Sequence, residues 1–231
     1  MKKIASILLV LVILLSFSGC KKEELNEDNI VDTWKAEISV ENFSLITGMK
    51  IAGNGTELPS EYIKKINSFE LPLYIIFNEN GKCDKKVLKA DIDKLYEHML
   101  NVVMDFFENQ GLLLKYQAEG AKVNSNEQLK EYFISNSTTF EKVLAEFKET
   151  FKKIIKDEKA KYGFLKADKN GFYTITQKPE KYIVSETSIT FINEKEIATF
   201  SELTDKNTIL ITKVFDGEKE HNVSITFKRT K

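Results

Sequence analysis

The chain has 231 residues, and its 34 basic and 35 acidic residues give a formal net charge of −1 at pH 7. This balance provides no broad basic surface, and Arg229 is the only arginine, so nucleic acid is not an expected partner. The length allows one sizeable domain or two small ones. Because Cys20 and Cys83 are the only cysteines, a framework of several disulfides is excluded.

The first residues predict a secretion signal that ends at a lipidated cysteine. Lys2 and Lys3 precede an apolar run over residues 4–15. This run is shorter than the roughly 20 residues of a membrane-spanning helix, but it matches the apolar core of a cleaved signal peptide. The segment Phe17-Ser18-Gly19-Cys20 is similar to a lipobox. That similarity implies cleavage after residue 19 and attachment of fatty acyl chains, such as palmitate, to Cys20; the alternative is an ordinary signal peptide with an incidental cysteine.

Residues 20–30 are expected to form a flexible tether, because they are dense in charge and carry little apolar surface to bury. The cluster of lysines and acids directly after Cys20 is similar to the surface-export signal of Bacteroidetes lipoproteins. The alternative is a solvated spacer with no sorting role. The expected location is therefore the cell envelope, lipid-anchored at the outer membrane, on its periplasmic face or at the cell surface.

After the tether, the pattern predicts strands separated by one short helix. Residues 31–40 alternate between polar and apolar and are expected to form the first strand, whereas residues 41–56 contain three glycines and are expected to be a loop. The next predicted elements are a helix over residues 59–66, a strand over residues 71–77, a hairpin turn at Asn80-Gly81 and a strand over residues 83–88.

The apolar spacing then changes to three and four residues, which predicts a helical block. Residues 90–109 form one amphipathic helix in this interpretation, and Gly111 is expected to cap its end. Asn126 is expected to cap a short helix that runs to residue 133. A long helix is predicted to begin at Ser137 or Thr138, where Glu141 completes a capping box with Thr138, and to end near residue 162.

After residue 163 the period of two returns. Strands are predicted over residues 172–176, 182–184, 188–192, 197–200, 208–214 and 223–229, with turn sequences between them. The predicted fold class is therefore α+β: an antiparallel β-barrel or meander of about eight strands with a helical insertion at about residues 86–163. The interior of such a barrel is either packed with side chains or holds one small ligand.

A family resemblance supports this architecture. Thr33-Trp34-Lys35, which opens the first strand soon after the lipidated cysteine, and the meander that ends at Arg229 are similar to the lipocalin-like lipoproteins of Bacteroidetes. The resemblance covers about half of the mature chain, and Asp32 stands where the family usually carries glycine. It implies a lipocalin-like domain over residues 31–231 in which Trp34 packs across the closed end of the barrel as a structural residue.

A search for catalytic and metal-binding motifs finds none, which predicts a protein without enzymatic activity, metal or cofactor. The two histidines, His98 and His221, are far apart in sequence and are expected at the surface or at interfaces. Cys83 is expected to be a buried structural thiol, because no histidine signature surrounds it. Asp91 and Asp93 are two residues apart on a helix and so face different directions.

Two short segments superficially resemble calcium loops. They are residues 168–171 and 78–81, each of which ends in glycine. A calcium loop needs an acid five residues before its glycine, and Lys166 and Ile76 occupy those positions. Both segments are therefore expected to be turns.

These observations leave two functional hypotheses. The first is a membrane-anchored, non-catalytic module that binds a small apolar ligand or serves an accessory role in the envelope, with sixteen Phe and eight Tyr residues available to line a cavity or to fill the core. The second is a structural lipoprotein whose helical block docks an envelope protein. In both hypotheses the lipid on Cys20 attaches the chain to the membrane.

Overall fold

A computed structural model describes residues 30–49, 58–164, 166–175, 179–185, 188–192 and 198–230. The predicted signal peptide, Cys20 and nearly all of the predicted tether lie outside the described residues. The strands are β1 (Asp32–Ser39), β2 (Glu70–Asn78), β3 (Lys82–Leu88), β4 (Phe172–Thr174), β5 (Glu180–Ser185), β6 (Ser188–Ile192), β7 (Ala198–Asp205), β8 (Thr208–Phe215) and β9 (Glu220–Arg229). The helices are α1 (Val40–Thr47), α2 (Ser60–Asn67), α3 (Lys89–Phe106), a π-helical turn (Phe107–Gly111), α4 (Leu112–Ala118), α5 (Asn126–Ser135) and α6 (Phe140–Lys161).

The strands form a closed antiparallel barrel with the order β2-β1-β9-β8-β7-β6-β5-β3, which the pairing of β3 with β2 completes. Strand β4 lies outside this circle of eight. It pairs with the end of β3 near Leu88, whereas β5 pairs with the beginning of β3 near Lys82. The prediction of an α+β fold, with an eight-stranded antiparallel barrel and a helical insertion, is confirmed.

Strand β2 shows why this sequence forms a barrel wall. Leu71, Leu73, Ile75 and Phe77 are buried, and the residues between them are half-buried or exposed. Because successive side chains of a strand point to opposite faces, this alternation directs one row of apolar side chains into the barrel. The Asn80-Gly81 turn then reverses the chain, with Gly81 at a φ of 71°, and confirms the predicted hairpin between β2 and β3.

The helical block is inserted between β3 and β4, and its apolar stripe packs within the protein. The rings of Phe147 and Phe151 on α6 lie 4.9 and 5.6 Å from the ring of Phe107 in the π-helical turn. Helix α3 in turn contacts β2 and β3. The block therefore packs at the barrel end where β3 finishes, which is also the end that carries α1 and α2.

Gly111 does not cap a helix, contrary to the sequence-based expectation. It has a helical φ of −64°, and the chain continues through it from the π-helical turn into α4. A Cβ atom at this position would lie 2.7 Å from Cε1 of Phe106. The glycine is needed here because the aromatic ring packs against the backbone, and not because a left-handed turn requires it.

Three other local predictions were wrong. Residues 40–47 form α1 and not a loop, because Ser39 accepts a hydrogen bond from the N–H of Asn42 and the helix buries Val40, Phe43 and Ile46 in the core. Such a short helix depends on tertiary packing more than on periodicity. The caps of α5 and α6 are Ser125 and Thr139, and not Asn126 and Thr138.

Candidate functional site

The barrel contains two polar regions that are candidate sites, and the first is an ion pair in its interior. Lys85 lies between the buried residues Cys83 and Val87 on β3, so the alternation of the strand directs its side chain inward. Its ammonium group lies 3.0 and 2.9 Å from the two carboxylate oxygens of Glu180 and donates a hydrogen bond to the carbonyl oxygen of Ile46 at 3.1 Å.

This interior pair has a structural role. Lys85 is fully buried and Glu180 is 2% exposed, and the pair links β3, the start of β5 and the last turn of α1. The ring of Phe191 lies 4.7 Å from the ammonium nitrogen, which adds a cation–π contact. The ammonium group donates a hydrogen bond to Oε1 of Glu180, whereas Oε2 is buried in ionic contact only. Because both charges are shielded from solvent and contact each other, the arrangement joins elements of the barrel interior and is not accessible to an incoming molecule.

The second region is a groove in the barrel wall between β1 and β9. These strands pair only at Trp34 with Arg229 and at Lys35 with Lys228. If that register continued, residues 36–39 of β1 would pair with residues 227–224 of β9. Within the described chain, however, residues 36–39 pair only with β2. The gap, which we call the β1–β9 groove, has a volume of about 620 Å³ and is lined by Lys35, Ala36, Glu37, Ile38, Ser39, Asn42, Glu70, Ser224, Ile225, Thr226, Lys228, Arg229 and Thr230.

A β-bulge in β9 explains why the two strands separate. The register between β8 and β9 shifts between Ile211 and Lys213, so that Val223 and Ser224 lie opposite the single residue Thr212. A bulge of this kind bends its strand and can end pairing with a neighbour. Ser224 itself lines the groove. The groove is therefore built into the strand geometry, and the sequence of β9 by itself gives no sign of it.

Charge is distributed unevenly along the β1–β9 groove. Lys35 and Lys228 lie opposite each other at one end. Glu70 pairs with Ser39 at the other end and is exposed. Between these ends, Glu37 lies 2.8 Å from Lys35, and this hydrogen bond raises the pKa of the lysine above its usual value.

The floor of the groove is apolar and includes one small side chain. Ala36, Ile38 and Ile225 point inward and are buried, with Ala36 4% exposed. The groove has the size of a small-molecule site, and its lining combines a few buried apolar side chains with a larger number of polar and charged ones.

Trp34 is a core residue, as expected from its position on the first strand. Its side chain is fully buried, and its indole N–H donates a hydrogen bond to the carbonyl oxygen of Ile30 at 3.0 Å. The guanidinium group of Arg229 lies 4.8 Å from the centre of the indole ring. This contact lies at the paired positions of β1 and β9, beside the hydrogen bond from the backbone N–H of Thr230 to the carbonyl oxygen of Thr33 at 2.9 Å, and it marks the closed end of the β1–β9 groove.

Cys83 is buried on β3, as predicted for a structural thiol. Its side chain is fully shielded from solvent, and burial raises its pKa to about 12. A thiol in this environment stays protonated at neutral pH and is a poor nucleophile.

The two histidines are half-buried, and neither lines the groove. The ring of His98 stacks on Phe69 with a centre-to-centre distance of 4.9 Å. His221 lies 2.6 Å from a carboxylate oxygen of Asp216 at the turn between β8 and β9. Each imidazole has its own local partner, which agrees with the predicted surface or interface roles.

The acidic pairs considered in the sequence are also separate from one another. Asp93 contacts Lys159 at 2.7 Å, whereas Asp91 faces Lys94 at 3.4 Å. Asp168 accepts hydrogen bonds from the backbone N–H groups of Asn170 and Phe172, which confirms that residues 168–171 form a turn. Within the part of the chain that the structure describes, no group of three or more His, Cys, Asp or Glu side chains is placed to hold a metal ion.

Sequence reasoning did not identify the Lys85–Glu180 pair. One available signal was the alternation of Cys83, Lys85 and Val87, which places a lysine on the inward face of a predicted strand. The partner Glu180 is 95 residues away in the chain. Only the closure of the barrel brings the two together.

None of the described helices is both long enough and apolar enough to cross a membrane. No protein-family model, curated protein or solved structure matches this chain.

Proposed function

We propose that this chain is a lipid-anchored lipoprotein of the cell envelope whose barrel is a non-catalytic binding module, with the β1–β9 groove as its ligand site. The anchor is supported by the lipobox-like segment that ends at Cys20. The resemblance to lipocalin-like lipoproteins is supported by the antiparallel barrel and by the buried position of Trp34. The binding role is supported by the groove.

The observation that carries the proposal is the end of the β1–β9 ladder after two residue pairs. A barrel gains its stability by pairing all of its strand edges, so an unpaired stretch in the wall costs hydrogen bonds that closure would have made. The groove also contrasts with the interior, where the large aromatic residues Trp34, Phe77, Phe191 and Phe227 are fully buried. We therefore assign the ligand to the wall of the barrel.

The alternative role, docking of a partner by the helical block, receives less support. The apolar stripe of α6 packs against the π-helical turn and α3. The large apolar side chains that remain exposed on the block are distributed over three helices: Leu114, Tyr132, Ile134 and Ile154. Scattered single apolar residues are usual on protein surfaces and do not by themselves define an interface.

The anchor is tested by membrane fractionation of two cysteine variants. Cys20→Ser removes the proposed lipid attachment site, and Cys83→Ala is the matched control because Cys83 is buried away from the surface. We expect the wild type and Cys83→Ala to remain with the membrane fraction and Cys20→Ser to lose both membrane association and the acyl mass. Retention of Cys20→Ser in membranes would remove the anchor from the proposal.

The groove is tested by mass spectrometry of the chain purified from its native membranes under conditions that preserve bound molecules. Thr226→Trp places a large side chain on the groove wall, and Thr174→Trp is the control because Thr174 is an exposed strand residue on β4, outside the groove. We expect a bound mass on the wild type and on Thr174→Trp that is depleted on Thr226→Trp. A bound mass that is equal on all three proteins, or missing from all three, would contradict the assignment.

A further inference from the structure

We propose that the β1–β9 groove accepts an extended peptide segment, which adds to the barrel wall as a strand. This inference rests on the proposed function and specifies the class of ligand. Both long walls of the groove are strand edges, formed by residues 36–39 of β1 and residues 224–227 of β9. Strand β1 is hydrogen-bonded to β2 on its other side, and β9 is hydrogen-bonded to β8. The backbone N–H and C=O groups of β1 and β9 that are not bonded to these neighbours point toward the gap.

A peptide backbone matches these walls better than a compact small molecule does. An extended segment carries donors and acceptors on both of its edges at the spacing of a strand, so it can pair with two facing edges at once. Because β1 and β9 run antiparallel, the added segment would be antiparallel to one wall and parallel to the other. Both arrangements make regular backbone hydrogen bonds.

The length of the groove defines the length of the segment. From Lys35 to Ser39 the strand advances by four residues, which corresponds to about 14 Å at the rise of a β-strand. A segment of five residues therefore covers the distance from the paired lysines at one end of the groove to Ser39 and its neighbour Glu70 at the other.

The side chains around the groove specify an alternating pattern. Inward-facing side chains of the segment would meet Ala36, Ile38 and Ile225, which are apolar and buried. The second and fourth residues of the segment are therefore expected to be apolar.

The outward-facing positions are selected by charge complementarity. At the first position the segment would abut the closed end of the groove, where the side chain of Lys228 is exposed, which favours an acidic residue. At the third and fifth positions it would lie beside Glu37 and close to Glu70, which favours basic residues. The expected occupant is an extended peptide whose residues follow the order acidic, apolar, basic, apolar, basic. Whether this order is read from the N-terminus or from the C-terminus depends on whether the peptide runs antiparallel to β1 or to β9.

Two synthetic peptides test this inference against the full lipidated chain in detergent micelles. They are Glu-Val-Lys-Val-Lys and its reversed order, each acetylated and amidated at its ends, with binding followed by isothermal titration. We expect one order to bind the wild type and Thr174→Trp, and to bind Thr226→Trp at least about tenfold more weakly. Methylation of the three central backbone nitrogens removes donors but retains every side chain, and it is expected to weaken binding by at least about tenfold.

A charge exchange tests the proposed register. Lys228→Glu is expected to weaken binding of the preferred peptide, and replacement of the acidic residue of the peptide by lysine is expected to restore it. Equal binding of the methylated and unmethylated peptides, or binding of neither order, would overturn the strand-addition inference. If the peptides fail but a natively bound molecule is still lost from Thr226→Trp, the groove remains the proposed ligand site. If Thr226→Trp retains the natively bound molecule, the groove is rejected as the ligand site as well.

Discussion

The interior and the wall of the barrel both carry lysine and glutamate, but they use them in opposite ways. Inside, Lys85 and Glu180 are buried and contact each other at about the distance of a strong hydrogen bond. In the wall, Lys228 and Glu70 are exposed and lie at opposite ends of the β1–β9 groove. The interior charges neutralise one another, whereas Lys228 and Glu70 face solvent beside strand edges that, within the described residues, do not pair with each other.

This difference shows that residue type alone does not identify a binding residue. A buried charge must find its partner within the fold, because removal from water without a partner is costly. An exposed charge has no such requirement and can contribute to the recognition of a ligand.

The largest effect is expected in thiol reactivity. In a Cys20→Ser background, Cys83 is the only thiol and is fully buried, so it should react with a maleimide only when the barrel unfolds. A second protein with Cys20→Ser, Cys83→Ala and Ser224→Cys places its single thiol in the exposed groove. We expect the groove thiol to react faster by on the order of 10³-fold or more at pH 7.5. Similar rates in the native proteins would contradict the difference in exposure, and equal rates in urea are the control.

Removal of one partner of the interior ion pair should cause the largest loss of stability. Glu180→Leu leaves the ammonium group of Lys85 buried without a counter-ion, and we expect the free energy of unfolding to fall by about 3–5 kcal/mol. The double variant Lys85→Met with Glu180→Leu removes both charges and should recover most of that loss. Urea denaturation of the three proteins measures these values. If the double variant were as unstable as the single one, packing and not the unpaired charge would be the cause.

A smaller effect is expected at acidic pH from the turn between β8 and β9. Hydrogen bonds from the backbone N–H of Lys219, from His221 and from the backbone N–H of Glu218 hold the pKa of Asp216 below its usual value. A lowered pKa stabilises the folded state above the unfolded pKa of about 3.9, and this contribution is lost as the pH falls toward the folded pKa. Asp216→Asn should therefore be less stable than the wild type at pH 5, and the difference between the two should shrink as the pH falls below about 4, as measured by urea denaturation. A difference that does not change with pH would exclude this linkage.

The smallest effect on stability is expected from substitutions in the groove. Lys228→Glu changes an exposed side chain, so the free energy of unfolding should change by no more than about 0.5 kcal/mol. Thermal unfolding followed by circular dichroism measures it, with Lys181→Glu, an exposed residue of β5 outside the groove, as the control. A loss several times larger than that of the control would show that Lys228 serves the fold, and the contrast between interior and groove would fail at this residue.

The fold was predictable because its elements carry strong local patterns. Apolar residues at every second position in β2 and in the strands after residue 163 predicted the barrel. Apolar residues spaced three and four positions apart in α3 and α6 predicted the helical insertion. The prediction that Gly111 caps a helix was wrong. Glycine is required at this position because the ring of Phe106 packs against the backbone, and not because the backbone adopts a positive φ. Helix α1 was missed because its eight residues are stabilised mainly by burial of Phe43 and Ile46.

The candidate site was not predictable from the sequence. The alternation of residues 223–229 predicts an unbroken closing strand, and nothing in those residues marks Val223 and Ser224 as a bulge. The pairing of Lys85 with Glu180 likewise requires the barrel to close. Predictions about Cys20, its acyl chains and its location stay predictions, because they concern residues before position 30.

The sequence by itself determined the periodicity, the turns, the inserted helical block and the lipobox-like segment, because each depends on residues close together in the chain. The tertiary structure alone decided which charged side chains form a buried ion pair and where the wall of the barrel opens. Both depend on pairing between distant strands, since the position at which β9 leaves β1 is set by its bulge against β8.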